Sequence, residues 1–175
     1  RSWRGESEVD IGAALAGFGQ LEATGTLRLK PAEGYAFYAL YPETYAEAAR
    51  ATRLGADTRV IGIRSIGTGL AAMVAAALGA GTPVTVRPVG HPFDRELRLA
   101  PGLADYLLGG NPTHFAIVDE GPGLSGSSFS CVADGLAAAG IPRDRIHRFP
   151  GHPNEPGAMA GPERLLHWGA SPSHH

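Results

Sequence analysis

From residue 57 onwards the chain repeats one arrangement of apolar and polar positions. A short apolar or β-branched run leads into a loop rich in Gly, Ser or Pro, and an apolar or amphipathic helical stretch follows. The runs that predict strands are 59–63, 82–87, 115–118 and 145–149. The stretches that predict helices are 43–54, 70–78, 101–108, 129–140 and 162–168. This alternation predicts an α/β fold, a parallel sheet with helices on both faces.

The first 41 residues do not follow this arrangement. Residues 11–21 contain small side chains without a clean period, 23–29 alternate as a strand does, and 35–41 are aromatic and predict a second strand. We therefore expect a single domain over 1–175, in which 1–41 form an N-terminal added lobe. The core would span about 42–149, and 150–175 would form a second accessory segment.

Composition and charge exclude several classes of function. The 175 residues carry a net charge of −2 and are 43% hydrophobic, so neither nucleic acid nor a membrane is an expected partner. The longest apolar run, 70–78, is far shorter than a membrane span. The seven His residues show no HxxxH or Cys/His pair, so a transition-metal site is not expected. A single cysteine, Cys131, fits a cytoplasmic protein, and an opening residue other than Met suggests a trimmed chain.

The stretch Phe115–Phe129 carries the clearest chemical signal. An apolar strand runs into two acids, Asp119 and Glu120, and then into a loop of Gly, Ser and Pro before a helix begins. Small loop residues let backbone N–H groups point at one spot, and a helix N-terminus adds partial positive charge. The pattern therefore predicts a phosphate site.

The loop resembles two general motifs but matches neither of them. A P-loop would need Lys where Ser127 stands, and two acids precede the loop where they would repel phosphate. A nucleophile elbow around Ser125 would need Gly at position 127. A purely structural turn also stays open as an interpretation.

The segment VDEGPGLSGSS resembles the phosphoribosyl pyrophosphate (PRPP) loop of the type I phosphoribosyltransferases. This resemblance implies that Asp119 and Glu120 bind the ribose hydroxyls. It implies that the loop binds the 5-phosphate through these five residues: Gly123, Leu124, Ser125, Gly126 and Ser127. The dipeptide Gly121-Pro122 departs from the family pattern, which has two apolar residues there.

A second segment, VIGIRSIGTGLAAMVAAALG, resembles the pyrophosphate loop of the same family, a strand followed by a turn with a strained peptide and an Ala-rich helix. The turn would be formed by Arg64, Ser65, Ile66 and Gly67. Arg87 ends the next predicted strand, where the family often has a basic residue. Residues 88–100 predict a long mobile loop, where the family has a loop that closes over its site.

The resemblance covers about 57–149 and implies transfer of ribose 5-phosphate from PRPP to a nitrogenous base, with release of pyrophosphate. Mg²⁺ would be the cofactor. The resemblance implies that PRPP holds the ion, that Asp119 and Glu120 are the candidate protein contacts, and that no other residue binds the metal directly. PRPP and an unidentified base or nucleotide are the expected partners, and the aromatic N-terminal lobe suggests a homodimer. The alternatives are a non-catalytic domain that senses PRPP or a nucleotide, and an unrelated nucleotide-binding α/β domain.

Overall fold

The computed structural model describes residues 12–20, 25–26, 34–110 and 112–175. The chain divides into two compact units, Arg1–Ala32 and Glu33–His175. In the first unit helix α1 spans Gly12–Gly19, a stretch where the sequence predicted no element. Its Ala and Leu residues have high helix propensity although they form no amphipathic period. The strand predicted at 23–29 lies outside the described residues except for positions 25 and 26.

The second unit contains the predicted α/β core. Its strands are β1 Thr58–Ile63, β2 Val84–Val86, β3 Val89–His91, β4 Asp94–Glu96, β5 His114–Val118 and β6 Ile146–Phe149. Its α-helices are α2 Pro42–Arg50, α3 Gly67–Leu78, α4 Pro101–Leu108, α5 Ser127–Ala138 and α6 Pro162–Gly169. Short 3₁₀ helices span Tyr35–Tyr38 and Arg143–Arg145.

Four strands form one parallel sheet in the order β2-β1-β5-β6. Ile61 lies between Val84 of β2 and Ile117 of β5, and Val118 lies beside Phe149 of β6. The parallel sheet predicted from the sequence is confirmed. Because all four strands run the same way, the loops that follow them emerge at one edge of the sheet.

Helices cover both faces of this sheet, as predicted. One face packs Val60, Ala116 and Val118 against the buried side chains of α2 and α3. The other face packs Ile61, Ile63 and Ile117 against α5 and α6. Side chains of successive strand residues point to opposite faces, so a strand buried on both sides is apolar at nearly every position.

The prediction of a strand at 35–41 is wrong, because Tyr35–Tyr38 form a 3₁₀ helix. Tyr35 and Tyr38 are partly buried whereas Ala36 and Phe37 are exposed, which is the spacing of a 3₁₀ turn and not of a strand. Tyr35 packs against the α2–α3 side of the core. Aromatic side chains favour strands in general, but here packing against helices determines the backbone.

The segment 88–100, predicted as a long loop, contains an antiparallel hairpin. β3 pairs with β4 through Val89 and Glu96, and His91 lies opposite Asp94. Gly90 has a φ of 89°, which few residues other than glycine adopt. No strand signal is visible in the sequence here, because the two strands are short, their side chains are mostly exposed, and the segment is rich in charged residues and contains Pro.

Several predicted helix boundaries also shift. The helix predicted at 70–78 begins three residues earlier, and it ends as predicted before Gly79, whose φ of 66° caps it in the left-handed region. The helix predicted to reach residue 54 ends at Arg50. The helix predicted at 101–108 is confirmed over its whole length.

The C-terminal residues add to the edge of the sheet. Arg148 donates its backbone N–H to Pro172 and accepts one from His174, at 2.8 and 2.9 Å. The imidazole of His147 lies 3.0 Å from that of His114 and 3.0 Å from that of His174. Burial, followed by the two neighbouring histidines, lowers the pKa of His147 to about 4.

We expect Gly62→Ala to destabilise the fold. A Cβ at this position of β1 would lie 2.5 Å from the carbonyl oxygen of Gly67 and 2.9 Å from the Cβ of Ala71. Such overpacking costs roughly 1–3 kcal/mol, which urea denaturation would measure as a lower free energy of unfolding. Gly81→Ala is the matched control, since a Cβ there meets nothing within 4 Å. Equal stability of the two variants would contradict the packing described.

We expect acid to destabilise the fold through His147. The folded pKa lies near 4, below the ordinary value of 6.5, so between these values the folded state binds fewer protons than the unfolded state. The free energy of unfolding therefore falls as the pH drops through this range, by on the order of 2 kcal/mol. Urea denaturation of His147→Gln would show a smaller loss over the same range. The exposed His91→Gln is the control and should behave as the wild type does.

Candidate functional site

The candidate site lies where β1 and β5 end side by side. Gly62 is in register with Val118, so the turn after β1 and the acids after β5 emerge together. A Cβ placed on Gly67 would lie 3.1 Å from Oδ1 of Asp119 and still closer to the carbonyl oxygen of Val118. The structure therefore brings the two segments that the sequence singled out into direct contact.

The turn after β1 presents exposed polar groups. Arg64 donates its backbone N–H to Val86 at 2.8 Å, which ties the turn to β2, and the peptide bond between Arg64 and Ser65 is cis. The Arg87 guanidinium donates to Oγ of Ser65 at 3.1 Å. Arg64, Ser65 and Arg87 are all exposed. Two predicted site arginines thus lie on or against the same turn, with both guanidinium groups open to a ligand.

The two acids lie in different environments. Asp119 is only 8% exposed, whereas Glu120 is partly exposed. The hydroxyl of Tyr45 donates to the backbone carbonyl of Asp119 at 2.9 Å, and Gly151 donates its N–H to the carbonyl of Glu120 at 3.1 Å. These contacts fix the backbone of both acids from α2 and from the segment after β6.

Burial raises the pKa of the Asp119 carboxyl well above its ordinary value, and the hydrogen bond and charge of Glu120 raise it further. A desolvated carboxylate beside a second carboxylate is unfavourable, so the neutral form gains. The pair therefore tends to keep a proton to a higher pH than two separate carboxyls would. A ligand that brings a cation or a donating hydroxyl would take the place of that proton.

The loop after the acids is a compact turn that leads into α5. Gly123 and Gly126 have φ values of 65° and 66°, and Gly126 donates its N–H to the Pro122 carbonyl at 3.0 Å. The hydroxyl of Ser125 accepts the N–H of Ser127 at 3.2 Å. Both serines are buried, and their Oγ atoms are 3.0 Å apart.

The dipeptide Gly121-Pro122 builds this turn. A Cβ on Gly121 would lie 2.7 Å from the backbone nitrogen of Gly123. Pro122 is buried, and its carbonyl closes the turn by accepting from Gly126. The dipeptide therefore determines the shape of the loop.

The structure adds a contact that sequence reasoning missed, between the β3–β4 hairpin and the loop. The Pro92 carbonyl accepts from the hydroxyl of Ser127 at 2.7 Å and from that of Ser125 at 3.5 Å. Arg164 of α6 donates to the carbonyls of Phe93 and Ser125, at 3.0 and 3.4 Å. No local pattern signals these contacts, because the partners are 33 to 71 residues apart.

The tail after β6 covers the outer side of the loop, which the sequence also did not predict. Gly157 donates its N–H to Gly123, and Met159 donates to Leu124, each at 3.0 Å. The ring of Pro156 lies against Gly126, where a Cβ would come within 2.7 Å of it. The tail thus engages the carbonyls of Gly123 and Leu124, while the N–H groups of Gly126 and Ser127 are bonded within the loop itself.

The acid pair offers the oxygen donors that Mg²⁺ prefers, and a cation bound there would favour the ionised form that burial disfavours. Within the described residues, no group of three or more His, Cys, Asp or Glu side chains could hold a metal ion. A magnesium ion here would therefore need oxygens from its ligand as well as from Asp119 and Glu120.

No known family model matches this chain, and no curated protein matches it. Among the described helices, none is both long enough and apolar enough to cross a membrane.

We expect Asp119→Asn to stabilise the free protein at pH 8. The raised folded pKa means that the folded state binds more protons than the unfolded state above about pH 4, so the free energy of unfolding falls as the pH rises. The Asn side chain donates a hydrogen bond as the protonated acid does, but it does not ionise as the pH rises. The Asp119→Asn variant should therefore be more stable than the wild type by about 1 kcal/mol in urea denaturation at pH 8. Asp144→Asn, an exposed acid, is the control. An Asp119→Asn variant less stable than the wild type at pH 8 would refute the protonated pair.

Proposed function

We propose that this protein is a phosphoribosyltransferase of the type I kind, transferring ribose 5-phosphate from PRPP to a nitrogenous base. The observation that carries the proposal is the contact between the acid pair after β5 and the Arg64 turn after β1. PRPP carries a phosphate, a ribose with two hydroxyls and a pyrophosphate. What supports the proposal is that a Gly/Ser loop, two acids and two arginines all follow neighbouring parallel strands at one edge of the sheet.

The loop from Gly123 to Ser127 would bind the 5-phosphate. It leads directly into α5, whose first turn offers N–H donors and the positive end of the helix dipole. The hydroxyls of Ser125 and Ser127 lie 3.0 Å apart, and each could donate to a phosphate oxygen once its present bond to the Pro92 carbonyl is released. Leu124 is exposed and would contribute its backbone alone.

Asp119 and Glu120 would accept hydrogen bonds from the ribose hydroxyls. Bound Mg²⁺ would neutralise charge on the pyrophosphate, and the residues able to hold it are these same two acids, together with ligand oxygens. Either role requires Asp119 in its ionised form. We therefore expect binding to release the proton that burial retains on this residue.

Arg64, Ser65 and Arg87 would hold the pyrophosphate, with the backbone of Ile66 and Gly67 completing the turn. In the reaction the lone pair of a base nitrogen forms a bond to the ribose C1, and the C1–O bond breaks with its electrons leaving on the pyrophosphate. The two exposed guanidinium groups stabilise the negative charge that develops on that leaving group. The chain thereby positions the reactants and stabilises the leaving group, and it needs no covalent intermediate.

The first test is binding and turnover with the same ligand. PRPP with Mg²⁺ should raise the melting temperature by several degrees, and pyrophosphate should be released when the correct base is added. The double variant Asp119→Asn, Glu120→Gln should lose both effects. Asp144→Asn serves as the control acid and should keep them.

The outcomes separate the competing functions. Stabilisation by PRPP without pyrophosphate release over a panel of bases would favour a sensor domain of the same fold. Stabilisation by ATP or a mononucleotide but not by PRPP would favour an unrelated nucleotide-binding domain. Binding of PRPP that survives the double variant would contradict the ribose assignment of the acids.

A further inference from the structure

The serine hydroxyls of the phosphate loop are already engaged by the protein itself. The hydroxyl of Ser127 donates to the Pro92 carbonyl at 2.7 Å, and that of Ser125 lies within reach of the same oxygen and of Ser127 Oγ. A serine hydroxyl carries a single proton to donate. While the hairpin tip stays in place, the Ser127 hydroxyl cannot donate to a phosphate oxygen.

Arg164 links the hairpin tip to the loop. Its Nη1 donates to the carbonyl of Phe93 at the tip and to the carbonyl of Ser125 in the loop, while Nη2 lies 3.5 Å from Oδ1 of Asp94. The Asp94 side chain is 87% exposed, so this ion pair contributes little. A partly buried guanidinium next to a phosphate loop thus has two neutral acceptors and one weak anionic partner.

We propose that the hairpin tip competes with the phosphate group for the loop, and that Arg164 is a phosphate-binding residue. In the free protein Arg164 would hold the tip on the loop. In the complex it would turn to the phosphate, and the tip would leave. This inference rests on the proposed function, because it takes the loop to be the phosphate site.

The exchange of partners favours the phosphate chemically. A hydrogen bond from Ser127 or Arg164 to an anionic oxygen is charge-assisted and stronger than one to a neutral carbonyl. The guanidinium plane of Arg164 also matches a phosphate with two parallel N–H donors. The tip therefore lowers the apparent affinity of the loop for phosphate without blocking it, in proportion to the time it occupies the loop.

The hairpin can leave the loop without losing its own structure. The β3–β4 pairing is internal to it, and Arg95 donates to the carbonyl of Gly90 at 3.0 Å. Arg98 pairs with Glu96 at 2.8 Å. None of these contacts involves the loop. A displaced tip would therefore keep its β3–β4 pairing on the base that β4 and Leu97 make with α5, but it would lose the anchor that restrains opening of the pairing.

Hydrogen exchange of the hairpin amides tests this proposal, because a displaced tip and a closing lid change the exchange rate in opposite directions. The full chain would be measured with and without saturating ribose 5-phosphate, which offers the phosphate without a pyrophosphate. Without the anchor on the loop the β3–β4 pairing opens more often, so displacement of the tip predicts amide exchange in 89–96 at least threefold faster with the ligand bound. A lid that closes over the ligand would instead slow that exchange.

Two variants separate the role of the hairpin tip as a competitor from the role of Arg164 in phosphate binding. Asp94→Asn weakens the hold on the tip without touching the loop, and should tighten ribose 5-phosphate binding by about twofold in calorimetry. Arg164→Met should speed hairpin exchange in the free protein and yet weaken binding at least tenfold, with partial rescue by Arg164→Lys. Glu96→Gln, on the same hairpin but bonded to Arg98, is the matched control and should bind as the wild type does.

The inference is overturned if ribose 5-phosphate binds while hairpin exchange slows or stays constant, and the transferase proposal survives that result. It is also overturned if Arg164→Met binds as tightly as the wild type, since Arg164 then only holds the tip. If neither ribose 5-phosphate nor PRPP binds the wild type or Asp94→Asn, the phosphate site fails, and both proposals fail with it.

Discussion

The close approach of the turn after β1 to the end of β5 is the constraint on which the candidate site depends. Two glycines allow it: Gly62 leaves space for the start of α3, and Gly67 leaves space for Val118 and Asp119. A side chain at either position would collide with backbone atoms that cannot move independently of the sheet. Parallel pairing then sets the relative height of the two loops, so that an arginine turn and an acid pair share one edge.

The same close packing raises the pKa of Asp119. Water is excluded from Asp119 because Tyr45, Gly67 and the end of β6 surround it, and Glu120 adds a neighbouring negative charge. These surroundings therefore favour the neutral form of Asp119, whereas the proposed binding of ribose and Mg²⁺ would need its ionised form. Shifted pKa values of this kind are common at functional sites, because the ionisation state that a ligand stabilises is often unfavourable in the free protein.

Sequence reasoning located the sheet and the central loop because both are local. Short apolar runs next to Gly and Ser predict buried strands that end in turns, and Phe115–Phe129 contains its strand, acids, loop and helix start within fifteen residues. The contacts of Pro92 and Arg164 with the loop join segments far apart in the chain, and no pattern of residue types encodes such pairings. At 35–41 the error had another origin, because aromatic residues suit a 3₁₀ turn against helices as well as a strand.

The C-terminal segment has a consequence for how this protein could meet another copy of itself. Through Pro172 and His174 it occupies the outer hydrogen-bonding groups of Arg148 on β6. At the opposite edge β2 is three residues long, with Pro83 and Pro88 on either side of it. Both margins are thus protected against strand addition. Within the described residues, the four-stranded sheet therefore offers no open edge for a continuous intermolecular sheet, and a homodimer built on this part of the chain would form through side chains of its helices or loops.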